Sequence, residues 1–251
     1  MKIGVCAKVT PHADARIKIA ADGSGIDTAG EKLVISDYDE VAVEQAIRTK
    51  EALGGEVVAF SVGNKDDDKV LRAGCLALGA DKAVLMHNSR ADALDVATLL
   101  ANAIREAGCE IVFTGKTTTD DGTAQVGAMI AELLGWPQVS AVTELSIDGT
   151  TFTATRAMDA GLMQVVQGTL PAVITCEDGL NTPRYAKLPD IMKAKKKPLD
   201  ITDVATAGGA RSTMGAFAPP PARPAGRIIA GDPATAAKEL AKLLREEAKV
   251  L

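Results

Sequence analysis

The sequence predicts an α/β fold in which helices cover both faces of a doubly wound, mostly parallel sheet. Through the first half of the chain, short apolar runs rich in β-branched residues alternate with longer amphipathic runs, a pattern typical of alternating strands and helices. Glycine follows three of the predicted helices, at Gly79, Gly108 and Gly135, where it is a common stop signal. Such alternation produces parallel strands that are buried on both faces.

The individual elements follow in order from the amino terminus. Strands are predicted over residues 2–9, 56–62, 82–86 and 110–114, and helices over residues 38–53, 69–78, 93–107 and 123–134. The pattern then changes, because alternating runs over residues 142–147 and 151–155 flank Asp148-Gly149, which predicts a hairpin. Residues 172–176 predict another buried strand.

The C-terminal part of the chain has little periodicity until its end. A proline run at residues 218–221 predicts a stiff linker, and residues 233–250 predict an amphipathic helix. We therefore divide the chain into an α/β domain over residues 1–190 and an extended arm with a terminal helix over residues 191–251. We expect the arm to pack on another subunit, with folding back onto its own domain as the alternative.

Composition excludes several classes of function. The 251 residues carry a formal net charge of −5 and only 3% aromatic side chains, which argues against a nucleic-acid partner. No apolar run approaches the roughly 18 residues of a membrane span, and the start of the chain lacks a signal-peptide pattern. The four cysteines are widely spaced and are interpreted as reduced core residues. We therefore expect a soluble cytoplasmic protein without membrane insertion.

A candidate ligand site lies in the loops that follow the predicted strands, since open parallel sheets bind ligands beyond the carboxyl ends of their strands. Residues 115–127, GKTTTDDGTAQVG, are not a Walker loop, because the first glycine of that motif would fall on Glu110 within a strand. The loop instead opens onto a helix whose predicted first turn includes Thr123, Ala124 and Gln125, a possible phosphate site. Small residues would let a ligand approach the backbone: Gly122, Ala124 and Gly127. The alternative is an ordinary strand-to-helix loop that binds nothing.

Residues for acid–base, nucleophilic or metal chemistry are not evident. His12 and His87 have no carboxylate or nucleophile partner in sequence, so we interpret them as structural or solvated. No cluster of His, Cys and carboxylate residues has metal-ligand spacing. We therefore expect no catalytic residue and no metal site.

A candidate docking segment follows the strand predicted at residues 172–176. Leu188, Ile191 and Met192 lie beside a run of lysines that begins at Lys193, and Pro189 favours an extended conformation at the residue before it. Exposed apolar side chains next to a charge cluster indicate a docking surface. In the alternative interpretation the leucine packs back onto its own domain.

Residues 180–197, LNTPRYAKLPDIMKAKKK, closely resemble the signature of the electron transfer flavoprotein β subunit family. Similar stretches occur at residues 5–8, 36–44, 61–63, 79–81, 115–127 and 135–137, so the resemblance covers nearly the whole chain. It implies a Rossmann-like domain of the adenine-nucleotide-binding kind over residues 1–190.

The resemblance also implies cofactors. In that family the β subunit binds AMP without a redox role, while FAD lies mainly in the α subunit with its isoalloxazine edge facing β. Tyr38 lies where the family places an aromatic residue near the flavin. The implied cofactor-binding residues are Cys6, Ser36, Asp37, Tyr38, Asp39, Val62, Gly115, Asp120, Asp121, Gly122, Thr123, Ala124, Gln125 and Val126.

The implied function is that of an electron carrier, not an enzyme. A heterodimer of α and β subunits would accept electrons from flavin dehydrogenases, acyl-CoA dehydrogenases above all, and pass them to a membrane quinone oxidoreductase. Leu188 would be the residue that inserts into the dehydrogenase. The implied partner-binding residues are Tyr185, Leu188, Pro189, Ile191, Met192 and Lys193.

Departures from the family pattern leave alternatives open. Residues 121–127, DGTAQVG, are similar to the version found in electron-bifurcating members, which hold a second FAD in place of AMP and take electrons from NADH. Ser36-Asp37 replaces the usual Asn-Pro, and Ala157 stands where the family has a glutamate that contacts the α subunit. A stand-alone nucleotide-using enzyme of the same architecture is a third possibility.

Overall fold

The structure is a computed structural model that describes residues 1–88, 92–205, 211–213, 215–223 and 225–251. The chain divides into two compact units, Met1–Ala216 and Phe217–Leu251. Strands of the first unit are β1 (Lys2–Cys6), β2 (Val9–Pro11), β3 (Lys18–Ile19), β4 (Ile26–Asp27), β5 (Leu33–Ile35), β6 (Glu56–Gly63), β7 (Lys82–His87), β8 (Ile111–Gly115), β9 (Gln138–Asp148), β10 (Thr151–Ala157), β11 (Met163–Thr169), β12 (Ala172–Cys176) and β13 (Leu199–Asp203). Its helices are α1 (Asp37–Leu53), α2 (Asp68–Leu71), α3 (Ala93–Ala107), α4 (Val126–Leu134) and α5 (Leu188–Ala194), with shorter turns at Lys65–Asp67, Arg72–Leu76 and Asp159–Gly161.

Among the described residues, nine strands form one sheet in the order β11-β10-β9-β12-β8-β1-β6-β7-β13. Every pair from β9 through β12, β8, β1, β6 and β7 to β13 is parallel, while β9, β10 and β11 form an antiparallel meander. The order of strands reverses at β1, because β6 and β7 lie on one side of it and β8 and β12 on the other. The predicted doubly wound α/β fold is confirmed.

Both faces of the sheet are buried at the central strands β1, β6, β8 and β12, and this explains the continuous apolar runs of these strands. On one face, Val5 and Phe113 pack with the buried side of α1, including Val43. On the other, Phe60 and Val112 pack with α3 and α4. Helices on both faces leave the carboxyl ends of the parallel strands as the open edge of the sheet.

The four cysteines are buried and unpaired. Burial raises the pKa of the Cys109 thiol to about 12, with the charges of Glu56 and Glu110 adding to the effect and that of Lys2 opposing it. A thiol with such a pKa stays protonated at neutral pH and is unreactive. The interpretation of the cysteines as reduced core residues is confirmed in this structure.

The predicted hairpin is confirmed, since β9 pairs antiparallel with β10 across a turn in which Gly149 has φ of 59°. Several other predictions were wrong. The strand predicted over residues 2–9 ends at Cys6, and the chain resumes at Val9 in a small sheet with β5. Strands β11 and β13 were not predicted, because as edge strands they expose most of their residues and show no buried alternating face.

The second unit contains helix α6 (Pro233–Glu246), which ends four residues before the predicted boundary at residue 250. It begins at an N-cap, where the carboxylate of Asp232 accepts hydrogen bonds from the backbone N–H groups of Ala234 and Thr235. None of its residues is buried, and Leu240 is 48% exposed. In the part of the chain that the structure describes, no helix combines the length and the apolar character needed to cross a membrane.

Candidate functional site

The site is built where β1 and β8 end side by side and α1 begins, at the reversal of strand order. Asp39, in the first turn of α1, is only 5% exposed. Its Oδ2 atom accepts a hydrogen bond of 2.8 Å from the backbone N–H of Lys8, and its Oδ1 atom accepts one of 2.8 Å from the N–H of Gly115. One carboxylate therefore joins the ends of both strands.

The protonation of Asp39 is set by competing effects. Burial raises its pKa to about 7, although the two backbone N–H groups and the charge of Lys8 act in the opposite direction. The carboxyl group consequently changes charge near neutral pH. Ionisation of Asp39 would therefore change the net charge of the site at the ends of β1 and β8.

Residues 116–125 form a polar loop that is held against this edge. Lys8 places its Nζ atom 2.7 Å from Asp120 Oδ2 and 2.8 Å from Asp121 Oδ2. Burial lowers the pKa of Lys8, but these two carboxylates outweigh that effect and the net shift is upward. The fully buried hydroxyl of Ser36 accepts the N–H of Thr119 at 3.2 Å. The loop is thus bound both to the end of β1 and to the start of α1.

The helix predicted to begin at residue 123 begins instead at Val126. Gly122 and Ala124 have φ of 63° and 53°, values that a right-handed helix cannot contain. The Asp121 carboxylate accepts the N–H of Thr123 at 3.1 Å and so stabilises a turn. Since the predicted first turn at Thr123, Ala124 and Gln125 is a loop, any helix-end phosphate site lies at Val126 and the residues after it.

Two glycines allow the helices to approach the strand ends closely. A Cβ atom on Gly115 would lie 2.6 Å from Asp39 Oδ1 and 2.8 Å from Tyr38 Cβ. A Cβ atom on Gly127 would lie 2.8 Å from Thr175 Cγ2. Gly127, which we expected to admit a ligand, therefore serves to pack α4 on the sheet.

The remaining predicted cofactor residues lie at the same edge in different settings. Cys6 is the last residue of β1, and burial raises the pKa of its thiol, so its side chain belongs to the core. Val62 lies one residue before the end of the neighbouring β6. Asp37 and Tyr38 line a cavity of about 290 Å³ together with Val41 and Asp178. The fold thus brings the predicted residues to one edge.

The docking segment, residues 185–194, lies beyond β12. Tyr185 is 96% exposed and Leu188 is 73% exposed, so the leucine does not pack back onto its own domain. The segment contains α5, which was not predicted. The extended conformation predicted for Leu188 occurs one residue earlier, at Lys187, with φ −84° and ψ 153°. Leu188 is the first residue of the helix. Pro189 fits there because the first turn of a helix requires no N–H donor.

The sequence interpretation assigned no role in the site to Lys8, Glu44 or Arg184. Glu44 lies on the buried side of α1 and is 1% exposed, and a buried carboxylate requires a partner. An acidic residue one turn after the apolar Val41 on an amphipathic helix is the signal that could have revealed it.

Within residues 1–88 and the other described ranges, no group of three His, Cys, Asp or Glu side chains is arranged to hold a metal ion.

The sheet order, the reversal at β1 and the polar loop at its carboxyl edge define a Rossmann-like α/β protein. Comparison with known sequences narrows this class. Residues 24–207 match the model of the electron transfer flavoprotein domain. The electron transfer flavoprotein subunit beta of Bacillus subtilis is 37% identical over 249 residues, which cover 95% of this chain and 96% of its own.

Other relatives agree. The subunit beta of Syntrophomonas wolfei is 38% identical over 100% of this chain and 98% of its own, and that of Mus musculus is 37% identical over 77% of each chain. The chain therefore belongs to the electron transfer flavoprotein family and corresponds to its β subunit, which confirms the resemblance found in the sequence.

Proposed function

We propose that this β subunit forms a heterodimer with an α subunit that holds most of the FAD, and that the pair carries electrons between other proteins. The chain itself supplies binding surfaces and no acid–base catalysis. Donors would be flavin dehydrogenases, acyl-CoA dehydrogenases first among them, and the acceptor a membrane quinone oxidoreductase. The observation that carries the proposal is the exposed apolar docking segment in a chain of this family.

We place a nucleotide at the carboxyl edge of β1 and β8, with AMP as the preferred ligand. A polar loop, the start of α1 and the start of α4 meet there. Asp120 and Asp121 would repel a phosphate, but both are paired with Lys8. Since one lysine offsets only one of the two negative charges, we place the phosphate away from these carboxylates, at the backbone N–H groups near Val126. Tyr38 and the adjoining cavity would face the edge of the flavin.

Electrons would enter where the docking segment meets a dehydrogenase. Leu188 and Met192 present apolar side chains, 73% and 55% exposed, and Lys193, with a side chain 75% exposed, lies beside them. Apolar side chains that enter a pocket supply most of the affinity of such an interface. The neighbouring lysines would speed the encounter with an acidic surface.

The arm and helix α6 would pack on the α subunit. The helix has a regular cap and an apolar stripe, yet none of its residues is buried in this chain. Exposed stripes of this kind commonly cover a partner surface.

A second candidate is the β subunit of an electron-bifurcating flavoprotein, in which FAD replaces AMP and NADH is the donor. The stretch at residues 121–127 favours it, because its sequence is similar to that of bifurcating members. The docking segment favours the ordinary carrier, because its sequence matches that class.

The test is to co-express this chain with its α subunit, denature the purified complex and quantify the released nucleotides. We expect one FAD and one AMP per heterodimer. Two FAD and no AMP would establish the bifurcating alternative. Failure of the two chains to form a complex would overturn the heterodimer itself.

A further inference from the structure

The docking segment is held at its N-terminal side by an ion pair between a buried carboxylate and a half-buried arginine. Glu44 of α1 is 1% exposed, and its Oε2 atom lies 2.8 Å from Arg184 Nε while its Oε1 atom lies 3.1 Å from Arg184 Nη2. The same guanidinium group donates to both carboxylate oxygens of Glu51, at 2.6 and 2.9 Å. Arg184 immediately precedes the exposed Tyr185.

The electrostatics favour the charged state of these groups. Burial raises the pKa of Glu44, but hydrogen bonds from Arg184 and Arg48 outweigh it and the net shift is downward. Hydrogen bonds to Glu51 and Glu44 raise the pKa of Arg184. Arg184 shares Glu44 with Arg48, whose Nε atom lies 2.6 Å from Glu44 Oε1, and it pairs with Glu51 as well. The chain at residue 184 is therefore strongly held to α1.

A second contact holds the other end of the segment. Arg72 donates from Nη1 to the carbonyl oxygens of Ala194 at 3.0 Å and Lys197 at 3.2 Å. Lys197 in turn donates from Nζ to the carbonyl oxygens of Leu76 at 2.9 Å and Ala80 at 2.7 Å. The Arg72 bonds satisfy carbonyl groups at and just after the end of α5. Together with the Lys197 bonds they tie that end to the turn at Arg72–Leu76 and to Ala80.

Between the two held ends, the segment exposes its apolar side chains. We propose that Arg184 and Arg72 are positioning residues, which fix the docking segment in its binding conformation before a partner arrives. The inference rests on the proposed docking of a dehydrogenase. A segment that is already ordered loses less conformational entropy on binding, so both arginines would raise the affinity without contacting the partner.

The first measurement is amide hydrogen exchange of the holoprotein heterodimer, for the wild type, Arg184→Ala, Arg184→Lys and Arg72→Ala. We expect exchange in residues 185–194 to be about tenfold faster in both alanine variants, as expected for local opening. The lysine variant should recover only part of the protection, since it cannot bridge two carboxylates.

Arg105→Ala is the matched control. Arg105 also donates to a helix-end carbonyl, that of Leu133 at 2.9 Å, but on the opposite face of the sheet. The Arg105→Ala variant should leave amide exchange in the docking segment unchanged. If Arg184→Ala fails to fold, Glu51→Gln replaces it, since this change weakens only the more exposed Arg184–Glu51 pair. It should accelerate exchange in residues 185–194 by a smaller factor. Unchanged exchange in every variant of the two contacts would overturn the proposal.

The second measurement is electron transfer from an acyl-CoA dehydrogenase to the heterodimer. We expect Arg184→Ala and Arg72→Ala to raise KM for the heterodimer about five- to tenfold, with kcat and the flavin potential unchanged. Leu188→Ala reports on docking itself. If Leu188→Ala raises KM and the arginine variants do not, the positioning role is wrong.

If Leu188→Ala leaves KM unchanged, the proposed docking role is wrong, and with it the effect of the arginines on affinity. The exchange measurement still decides separately whether the two arginines hold the segment. The two failures are therefore distinguishable.

Discussion

At the residue scale, the site depends on how closely α1 approaches the end of β8. Gly115 allows this approach because any Cβ atom there would overlap Asp39 and Tyr38. The same contact lets Asp39 accept hydrogen bonds from two strands at once. A glycine and a buried carboxylate thus determine the shape of the edge together.

Replacing Gly115 with alanine should destabilise the protein by about 1–3 kcal/mol, the usual cost of overpacking a close contact. Urea denaturation of the purified protein measures the change in the free energy of unfolding. Gly25→Ala is the control, since a Cβ atom there has nothing within 4 Å. Equal stability of the two variants would contradict the close packing.

Asp39 should make stability depend on pH. Its folded-state pKa is about 7, above the ordinary value of 3.8, so between these values the native state binds more protons than the unfolded state. Stability should therefore fall as pH rises from about 4 to about 7, and level off above that. Unfolding measured at pH 5 and pH 8 should show a smaller decrease for Asp39→Asn than for the wild type. An equal decrease in both proteins would assign the effect to other groups.

At the element scale, strand β9 joins the parallel and antiparallel parts of the sheet through an irregularity. Ala141 has φ of 57°, and its N–H donates to the Thr175 hydroxyl of β12 at 3.0 Å instead of continuing the regular ladder. The side chain of a neighbouring strand therefore stabilises the bend that leads into the meander.

Thr175→Val should cost about 1–3 kcal/mol, because it leaves a buried N–H without its acceptor while keeping the shape of the side chain. Thr175→Ser retains the hydroxyl and should be less destabilised. Thermal unfolding of the two variants measures the difference. A valine variant as stable as the serine variant would show that the bend does not need this bond.

At the scale of the whole molecule, the second unit presents an amphipathic helix, α6, whose apolar stripe is not buried. Leu240→Asp should weaken association with the α subunit at least tenfold, because an unpaired carboxylate is costly to bury. The same variant should leave the unfolding temperature of the first unit, Met1–Ala216, unchanged. Titration of the separated subunits measures the affinity, with the exposed Lys238→Ala as control. Unchanged affinity in Leu240→Asp would show that α6 does not pack on the α subunit.

The sequence by itself determined the α/β class, the hairpin at Gly149 and the family, because periodicity and motif spacing are local properties of the chain. It did not predict β11 and β13, since edge strands bury too little to show an alternating pattern, nor α5, which is short. It also missed where α4 begins, because positive φ at Ala124 is not evident from its identity.

Only the tertiary structure decided which polar groups meet. Glu44 and Arg184 are 140 positions apart, and Asp39 and Gly115 are 76 apart. Whether a buried carboxylate is stable depends on the partner that folding brings to it. No local pattern in the chain carries that information, so the joined strand ends and the held docking segment follow from the fold alone.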